Sequence, residues 1–206
     1  MKVMLVNGSP NAEGCTYTAL MEVASSLEKQ GVDTEIFQLG KEPISGCIAC
    51  RGCYKKKRCV IDDKVNEFLD KAENANGFVF GSPVHFSSAS GTLVSFMDRV
   101  FYSNIWNFNG KVGASVVSCR RAGSTATFDQ LNKYFTINNM PIVSSQYWNA
   151  VHGNTPEEVK QDLEGLQTMR VLGSNMAWLI KCIEQGKSAG IPYPEYEKHQ
   201  FTNFIR

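Results

Sequence analysis

Residues 2–27 constrain the fold of this chain more than any other segment. Residues 3–6 are Val-Met-Leu-Val, a short continuous apolar run of the kind found in parallel strands that are covered on both faces. Turn-forming residues follow at positions 7–11, and beyond them apolar side chains return at the 3.6-residue period of a helix. The segment therefore predicts a buried strand, a tight turn and a helix whose N-terminus faces the end of the strand.

The turn after this strand is a candidate anion-binding loop. The first N–H groups of a helix lack helical partners and lie at the positive end of its dipole, so they bind anions such as phosphate. The hydroxyls of Ser9, Thr16 and Thr18 would add donors. The turn contains neither G-x-G-x-x-G nor the P-loop lysine. These residues alone leave two interpretations open: a phosphate-binding loop at the switch point of an open α/β sheet, and an ordinary strand-to-helix turn.

The rest of the chain repeats the alternation of strand and helix. Strands are predicted at residues 32–39, 78–80, 111–119 and 142–148, with a helix after each. One helix begins after Asp62 and Asp63, and the last is a long segment from Pro156 whose buried side includes Cys182. No repeat or linker interrupts the pattern, so the sequence predicts one domain over residues 1–206, with five parallel strands and helices on both faces.

In such a sheet the ligand lies outside the carboxyl ends of the strands. This brings together the loops at Ser9, at Ser82 and at Cys119, which offer hydroxyls, ring faces and arginines. A flat ligand with one phosphate, such as FMN, fits these groups. The candidate binding residues are Ser9, Asn11, Cys15, Thr16, Thr18, Ser82, Pro83, Val84, His85, Phe86, Cys119, Arg120, Gly123 and Ser124.

Charge and composition argue against several classes of partner. A formal charge of +1 gives no overall attraction to nucleic acid or to an anionic membrane. No apolar segment approaches the roughly 18 residues that span a bilayer, and the first strand is not preceded by a signal-peptide pattern. We therefore expect a cytoplasmic protein, in which the seven cysteines are thiols or metal ligands rather than disulfides.

Four of these cysteines form a compact motif in a basic loop at about residues 40–60, where periodicity disappears. The spacing is C-x2-C-x2-C-x5-C, at Cys47, Cys50, Cys53 and Cys59. A C-x2-C-x2-C run can surround one cubane cluster, with the fourth cysteine closing the site. Zinc sites more often use two C-x2-C pairs that lie further apart. The motif therefore favours a 4Fe-4S cluster, and zinc or four free thiols remain alternatives.

Six motifs stand in a recognisable order along the first 125 residues. They are GSPNAEGCT at 8–16, CIACRGCYKKKRC at 47–59, VIDD at 60–63, FGSPVHF at 80–86, FMDR at 96–99 and SCRRAGS at 118–124. In this order they resemble the NAD(P)H-dependent FMN reductase and iron-sulfur flavoprotein family of the flavodoxin-like fold. The family usually has Arg, Asn and Tyr where this chain has Asn11, Cys15 and His85.

The resemblance implies a flavodoxin-like three-layer sandwich that binds FMN noncovalently and uses NADH or NADPH as donor. The acceptor would be a quinone, free flavin, azo or nitro compound, or a protein. Because the flavin carries the hydride chemistry, no catalytic side chain is predicted, and Asp98 and Arg99 are interpreted as a structural pair. The four cysteines match those that hold a four-iron cluster in the iron-sulfur flavoproteins.

Three functional hypotheses follow from the resemblance. The first is an FMN-dependent reductase that turns over NAD(P)H. The second is an electron-transfer protein in which a 4Fe-4S cluster passes electrons from a ferredoxin-like donor to FMN, and the third is a flavin-binding regulator without catalysis. A homodimer or homotetramer is expected because the family builds part of the flavin pocket from a neighbouring subunit. Four aromatic residues next to the site could form that contact or could be ordinary core residues: Phe101, Tyr102, Trp106 and Phe108.

Overall fold

A computed structural model of the chain describes residues 1–103 and 108–204. Its sheet has five parallel strands in the order β2-β1-β3-β5-β6, and the short strand β4 pairs antiparallel with β3. This confirms the predicted parallel sheet and adds one short strand. The bounds are β1 Lys2–Asn7, β2 Asp33–Gln38, β3 Gly77–His85, β4 Ser88–Ala89, β5 Val112–Cys119 and β6 Ala150–His152.

The helices cover both faces of the sheet. Their bounds are α1 Cys15–Lys29, α2 Cys53–Lys56, α3 Lys64–Ala72, α4 Gly91–Ser103, α5 Ser124–Ile137, α6 Pro156–Val159 and α7 Leu163–Ser188. One apolar core lies under α1 and α7, and the other lies under α3, α4 and α5. None of the described helices is both long and apolar enough to cross a membrane.

Strand β1 belongs to both cores, which explains its uninterrupted apolar sequence. Val3 and Leu5 point into the core under α1 and α7, whereas Met4 and Val6 point into the other one, as the alternation of side chains along a strand requires. The core on the Met4 side is built largely from aromatic rings. Phe68 on α3 lies 5.2 Å from Phe96 between ring centroids, in the edge-to-face arrangement that aromatic rings prefer.

The prediction of a strand at residues 142–148 is wrong. In this segment Ile142 makes a single bridge to Gly113 on β5, and the regular strand β6 begins only at Ala150. The reason is that the polar residues in between bond elsewhere: the Ser145 hydroxyl donates to the Thr168 carbonyl on α7. Tyr147 and Trp148, at the end of the predicted strand, are more than half exposed.

The C-terminal helix also differs from the prediction. The chain forms α6 and then the separate helix α7, because the Asp162 side chain accepts from the backbone N–H of Gly165 and caps a new helix. Cys182 is exposed on α7 rather than buried in the core. Strand β3 is longer than predicted: Ser82 to His85 extend it, because Pro83 pairs with Ser118 on β5 and Val84 pairs with Ala89 on β4.

Two glycines on α7 provide a matched test of how α1 and α7 pack. A Cβ at Gly173 would lie 2.6 Å from the Ser26 Cβ and 2.7 Å from the Val23 carbonyl oxygen, whereas a Cβ at Gly186 would find no atom closer than 3.9 Å. We expect Gly173→Ala to lower the free energy of unfolding by about 1–3 kcal/mol, because the two helices must separate. Gly186→Ala should raise it by about 0.5–1 kcal/mol through helix propensity.

Urea unfolding followed by far-ultraviolet circular dichroism measures both changes. Equal stability of the two variants would contradict the close contact between α1 and α7.

Candidate functional site

The loop between β1 and α1 is held by the side chain of Asn7, the last residue of β1. Asn7 is fully buried. Its amide nitrogen donates to the carbonyl oxygens of Asn11 and Ala12 at 3.4 and 3.3 Å, and its carbonyl oxygen accepts from the Ser9 N–H at 3.1 Å. The sequence analysis did not include Asn7. A buried polar residue at the end of an apolar strand is the signal that could have identified it.

Gln38, at the end of the neighbouring strand β2, completes this support. Its side-chain oxygen accepts from the Asn7 amide at 2.6 Å, and its side-chain nitrogen donates to the Ser9 carbonyl at 2.7 Å. Within the loop the Ser9 hydroxyl accepts from the Asn11 N–H at 3.1 Å. The shape of the loop is therefore determined by side chains from two adjacent strands.

Helices α1 and α5 begin with open N-termini at the edge of the sheet where the parallel strands end. Their N-cap residues are Gly14 and Gly123, neither makes a side-chain cap bond within the described residues, and neither first turn contains an acidic residue. By contrast, Asp63, Thr155 and Asp162 cap α3, α6 and α7. The two open helices follow β1 and β5, the strands on either side of β3. Their uncapped first turns therefore lie on either side of the loop after β3, next to the boundary between β1 and β3 where the strand order reverses.

The third loop of the edge is the hairpin between β3 and β4. Phe86 and Ser87 at its tip both have positive φ, 51° and 60°, as a tight hairpin turn demands, and the Phe86 ring is fully exposed. The Gln130 side chain on α5 holds the hairpin, since its oxygen accepts from the Ser88 hydroxyl and the Ala89 N–H, each at 2.9 Å. An aromatic ring is thus presented to solvent on a fixed support.

The three loops contact one another. A Cβ at Gly123, whose φ is 89°, would lie 2.7 Å from the Ser87 hydroxyl, so the loop before α5 packs on the hairpin. Ser90 joins the other two, because its hydroxyl donates to the Gly8 carbonyl at 2.8 Å and its N–H donates to the Ser82 hydroxyl at 2.9 Å. The structure thus brings the predicted strand-end loops together.

Several predicted binding residues already have partners inside the chain. The Thr16 and Ser118 hydroxyls lie 2.8 Å apart, and the Thr18 hydroxyl donates to the Gly14 carbonyl at 3.1 Å. The Cys15 thiol donates to the Gly153 carbonyl at 3.7 Å. Burial raises the pKa of the Cys15 thiol, and it also raises that of Cys119. Both thiols are therefore expected to be neutral near pH 7.

The remaining predicted residues differ in exposure. Asn11, His85 and Arg120 are exposed at the rim of the edge, whereas Ser82 is fully buried. Pro83, Val84, Gly123 and Ser124 are half-buried. The edge therefore combines buried hydroxyls and backbone with an exposed rim that carries a ring and a cation.

The four cysteines of the basic loop line one pocket of ≈ 340 Å³, a volume that includes the solvent at its mouth. Cys53 is buried and Cys59 half-buried, whereas Cys47 and Cys50 are exposed. Burial raises the pKa of Cys53, and the other three thiols raise it further. Within the described residues, no three Cys, His, Asp or Glu side chains could hold a single metal ion.

Arg99 lies at the base of this pocket, and its pairing differs from the prediction. Its ion pair is with Asp63, at 2.6 Å, and not with the adjacent Asp98, which accepts from the Tyr134 hydroxyl. Burial lowers the pKa of Arg99, but its hydrogen bonds to Asp63 and Cys59 raise it, and the net shift is upward. Arg99 is therefore a permanent positive charge beside the cysteines.

The aromatic residues that were expected at a subunit contact divide into two groups. Phe101 and Phe108 are buried in the core, whereas Tyr102 is 42% exposed and its ring stacks on Tyr54. Trp106 lies outside the described residues. The homo-oligomer stays a prediction.

The strand order and the loops at its reversal point define a flavodoxin-like α/β fold. The chain is similar in structure to a flavodoxin from the domain Archaea, with a TM-score of 0.60, 18% identity, and coverage of 88% of this chain and 99% of that one. Residues 1–155 match the family of NADPH-dependent FMN reductases. The chain belongs to that family, and it is accordingly a flavin-dependent oxidoreductase.

Its curated relatives include iron-sulfur flavoproteins. One from Methanocaldococcus jannaschii is 34% identical over 193 residues, which cover 90% of this chain and 100% of the relative. Another, from Methanosarcina thermophila, is 27% identical over 195 residues, which cover 91% of this chain and 99% of the relative.

Proposed function

We propose that this chain binds FMN at the edge formed by the loops after β1, β3 and β5, and reduces an acceptor with electrons from NAD(P)H. The observation that carries this proposal is the contrast in helix capping. The N-termini of α1 and α5, like that of the four-residue α2, have no side-chain cap within the described residues, whereas those of α3, α6 and α7 do. Open N–H groups at a strand reversal point are suited to a phosphate and to the polar edge of a flat ring.

The loop before α1 fits a single phosphate. It folds closely around Gly14, where a Cβ would lie 3.1 Å from the Asn11 Cβ and 3.8 Å from the Ser9 hydroxyl. Backbone N–H groups can therefore approach an anion without interference from a side chain. One such loop favours FMN over FAD, and flavin released by heat and identified by chromatography tests that choice.

The ring would lie beside the hairpin between β3 and β4. When bound, FMN supplies hydride and electron transfer. The chain positions the ring through the hairpin backbone and Phe86, which Gln130 and Gly123 hold in place. The Arg120 guanidinium at the exposed rim is suited to the phosphates of a nicotinamide donor.

A second candidate function is favoured by the cysteine pocket. We propose that Cys47, Cys50, Cys53 and Cys59 hold a 4Fe-4S cluster, because one pocket contains all four thiols and the spacing suits a cubane. When bound, the cluster would supply single-electron transfer between an external donor, such as a ferredoxin-like protein, and FMN.

Anaerobic bleaching of the flavin distinguishes the two functions. If the chain is a nicotinamide-dependent reductase, NADPH or NADH alone should bleach the visible absorbance of the flavin in a stopped-flow experiment. If it is an electron-transfer protein, bleaching should require a reduced ferredoxin. Bleaching by neither donor would contradict both candidates and favour a flavin-binding regulator.

The open N-terminus of α1 predicts the effect of a new charge at Cys15, its first residue. Cys15→Asp should weaken FMN binding at least tenfold, about 1.4 kcal/mol, because the carboxylate would compete with the phosphate for the N–H groups. It should not destabilise the fold, since an acid is favourable at a helix N-terminus. Cys15→Ser is the neutral control and should bind FMN like the parent.

Quenching of flavin fluorescence during titration of the flavin-free proteins measures both affinities. Equal affinity of the Asp and Ser variants would place the phosphate elsewhere.

The cysteine pocket predicts that iron can be lost without loss of FMN. Cys50→Ser should abolish iron binding, because a cubane needs all four thiolates. It should leave FMN bound, because the loops after β1, β3 and β5 contain none of the four cysteines. Cys182→Ser, at an exposed cysteine on α7, is the control and should keep its iron.

Iron, sulfide and flavin per chain are measured in proteins purified without oxygen. Absence of iron from the parent, or equal iron in the parent and Cys50→Ser, would overturn the cluster proposal.

A further inference from the structure

The guanidinium of Arg99 is the most completely bonded charged group at the cysteine pocket. The residue is 1% exposed, on the buried face of α4. Two of its N–H groups form a fork with the Asp63 carboxylate at 2.6 and 2.8 Å, and two others donate to the carbonyl oxygens of Ser45 and Ile61 at 3.2 and 2.9 Å. The fifth, on Nε, donates to the Cys59 sulfur at 3.3 Å. Arg has five such donors, and all of them have partners.

The hydrogen bonds to Asp63, Ser45 and Ile61 fix the direction in which the Arg99 Nε–H points. A guanidinium is planar and rigid, so the four bonds to Asp63, Ser45 and Ile61 fix its plane. Nε–H then points at the Cys59 sulfur as a consequence of contacts that do not involve a metal. Asp63 is fixed in turn, because its side chain also caps α3 by accepting from the Val65 N–H.

Cys59 is held on its backbone as well. The Asn66 side chain accepts from the Cys59 N–H and donates to the Cys59 carbonyl, both at 3.1 Å. Asn66 is buried on α3. Cys59 therefore has a defined position before any metal binds, whereas Cys47 and Cys50 are exposed.

Arg99 also ties together the two ends of the loop. Ser45 precedes the first cysteine of the motif and Ile61 follows the last one, and both carbonyl oxygens accept from the same guanidinium. A single side chain thus closes the base of the pocket.

We propose that Arg99 is a positioning residue for the metal cluster: it presets Cys59 as the anchored ligand and raises the cluster's reduction potential through its N–H···S bond. The inference rests on the proposed cluster at the four cysteines. Hydrogen bonds to the sulfurs and nearby charge both set the potential of such clusters. An N–H directed at sulfur favours the more negative, reduced form, so removing it lowers the potential.

The same contacts could serve only to join α3 to α4, and the test must separate that role from the proposed one. Arg99→Lys keeps the charge but loses the planar fork, and Arg99→Gln removes the charge. Arg58 provides the matched control, because it adjoins Cys59 in sequence but pairs with Asp62 and Asp70 in solvent. Arg58→Lys and Arg58→Gln therefore change the same residue type, next to Cys59 in the sequence, at a side chain that does not bond to the sulfur.

The first measurement is the midpoint potential, from dithionite titrations of the anaerobic proteins followed by electron paramagnetic resonance, alongside iron, sulfide and FMN per chain. We expect a lower potential in both Arg99 variants, or loss of iron with FMN retained. Arg58→Lys should keep the parental values, and Arg58→Gln, which removes only a charge, should lower the potential less than Arg99→Gln does. A parental potential in the Arg99 variants would overturn the inference. So would loss of FMN, iron and the folded circular dichroism signal together, since Arg99 would then support the whole fold.

The second measurement uses the metal-free proteins. Hydrogen–deuterium exchange over residues 45–61 should be faster in Arg99→Lys than in Arg58→Lys, because the loop loses its tie at both ends. Equal exchange would contradict the preset position of Cys59. If the parent contains no iron, the proposed cluster itself fails, and that failure is visible in the parent alone.

Discussion

The candidate flavin site depends on the hydrogen bonds of the Asn7 side-chain amide. The Asn7 side chain is buried at the end of β1, and its bonds to the backbone of Ser9, Asn11 and Ala12 set the shape of the loop before α1. A buried amide with missing partners would cost about 1–3 kcal/mol, so the loop and the amide hold each other in place. Gln38 extends the same network to β2.

The helix caps differ between the candidate flavin site and the rest of the chain. Asp63, Thr155 and Asp162 satisfy the first N–H groups of three helices, and each such cap contributes about 1 kcal/mol. The helices after β1 and β5 have glycine in that position. Helices α1 and α5 therefore lack the stabilisation of a side-chain cap, and a bound anion would provide it instead.

Helix α4 connects the two candidate sites. Ser90, just before its first turn, bonds to the loops after β1 and β3, and Arg99 near its other end bonds to Cys59. Nine residues separate the two, about 14 Å along a helix. Because α4 packs in the aromatic core, the flavin edge and the cysteine pocket share one rigid support.

The sequence by itself determined the parallel sheet, because a strand covered on both faces must be apolar throughout, as residues 3–6 are. It also determined the grouping of four cysteines, since spacing alone keeps neighbouring thiols close. It could not determine the edge strand at residues 150–152, because the predicted strand at residues 142–148 makes other contacts, such as the bond of the Ser145 hydroxyl to α7. Nor could it assign Arg99 to Asp63 and Cys59, or Asn7 to the loop it supports, because those partners come from other elements. Periodicity and spacing are local properties, whereas the partner of a buried polar group is decided by which elements the tertiary structure packs around it.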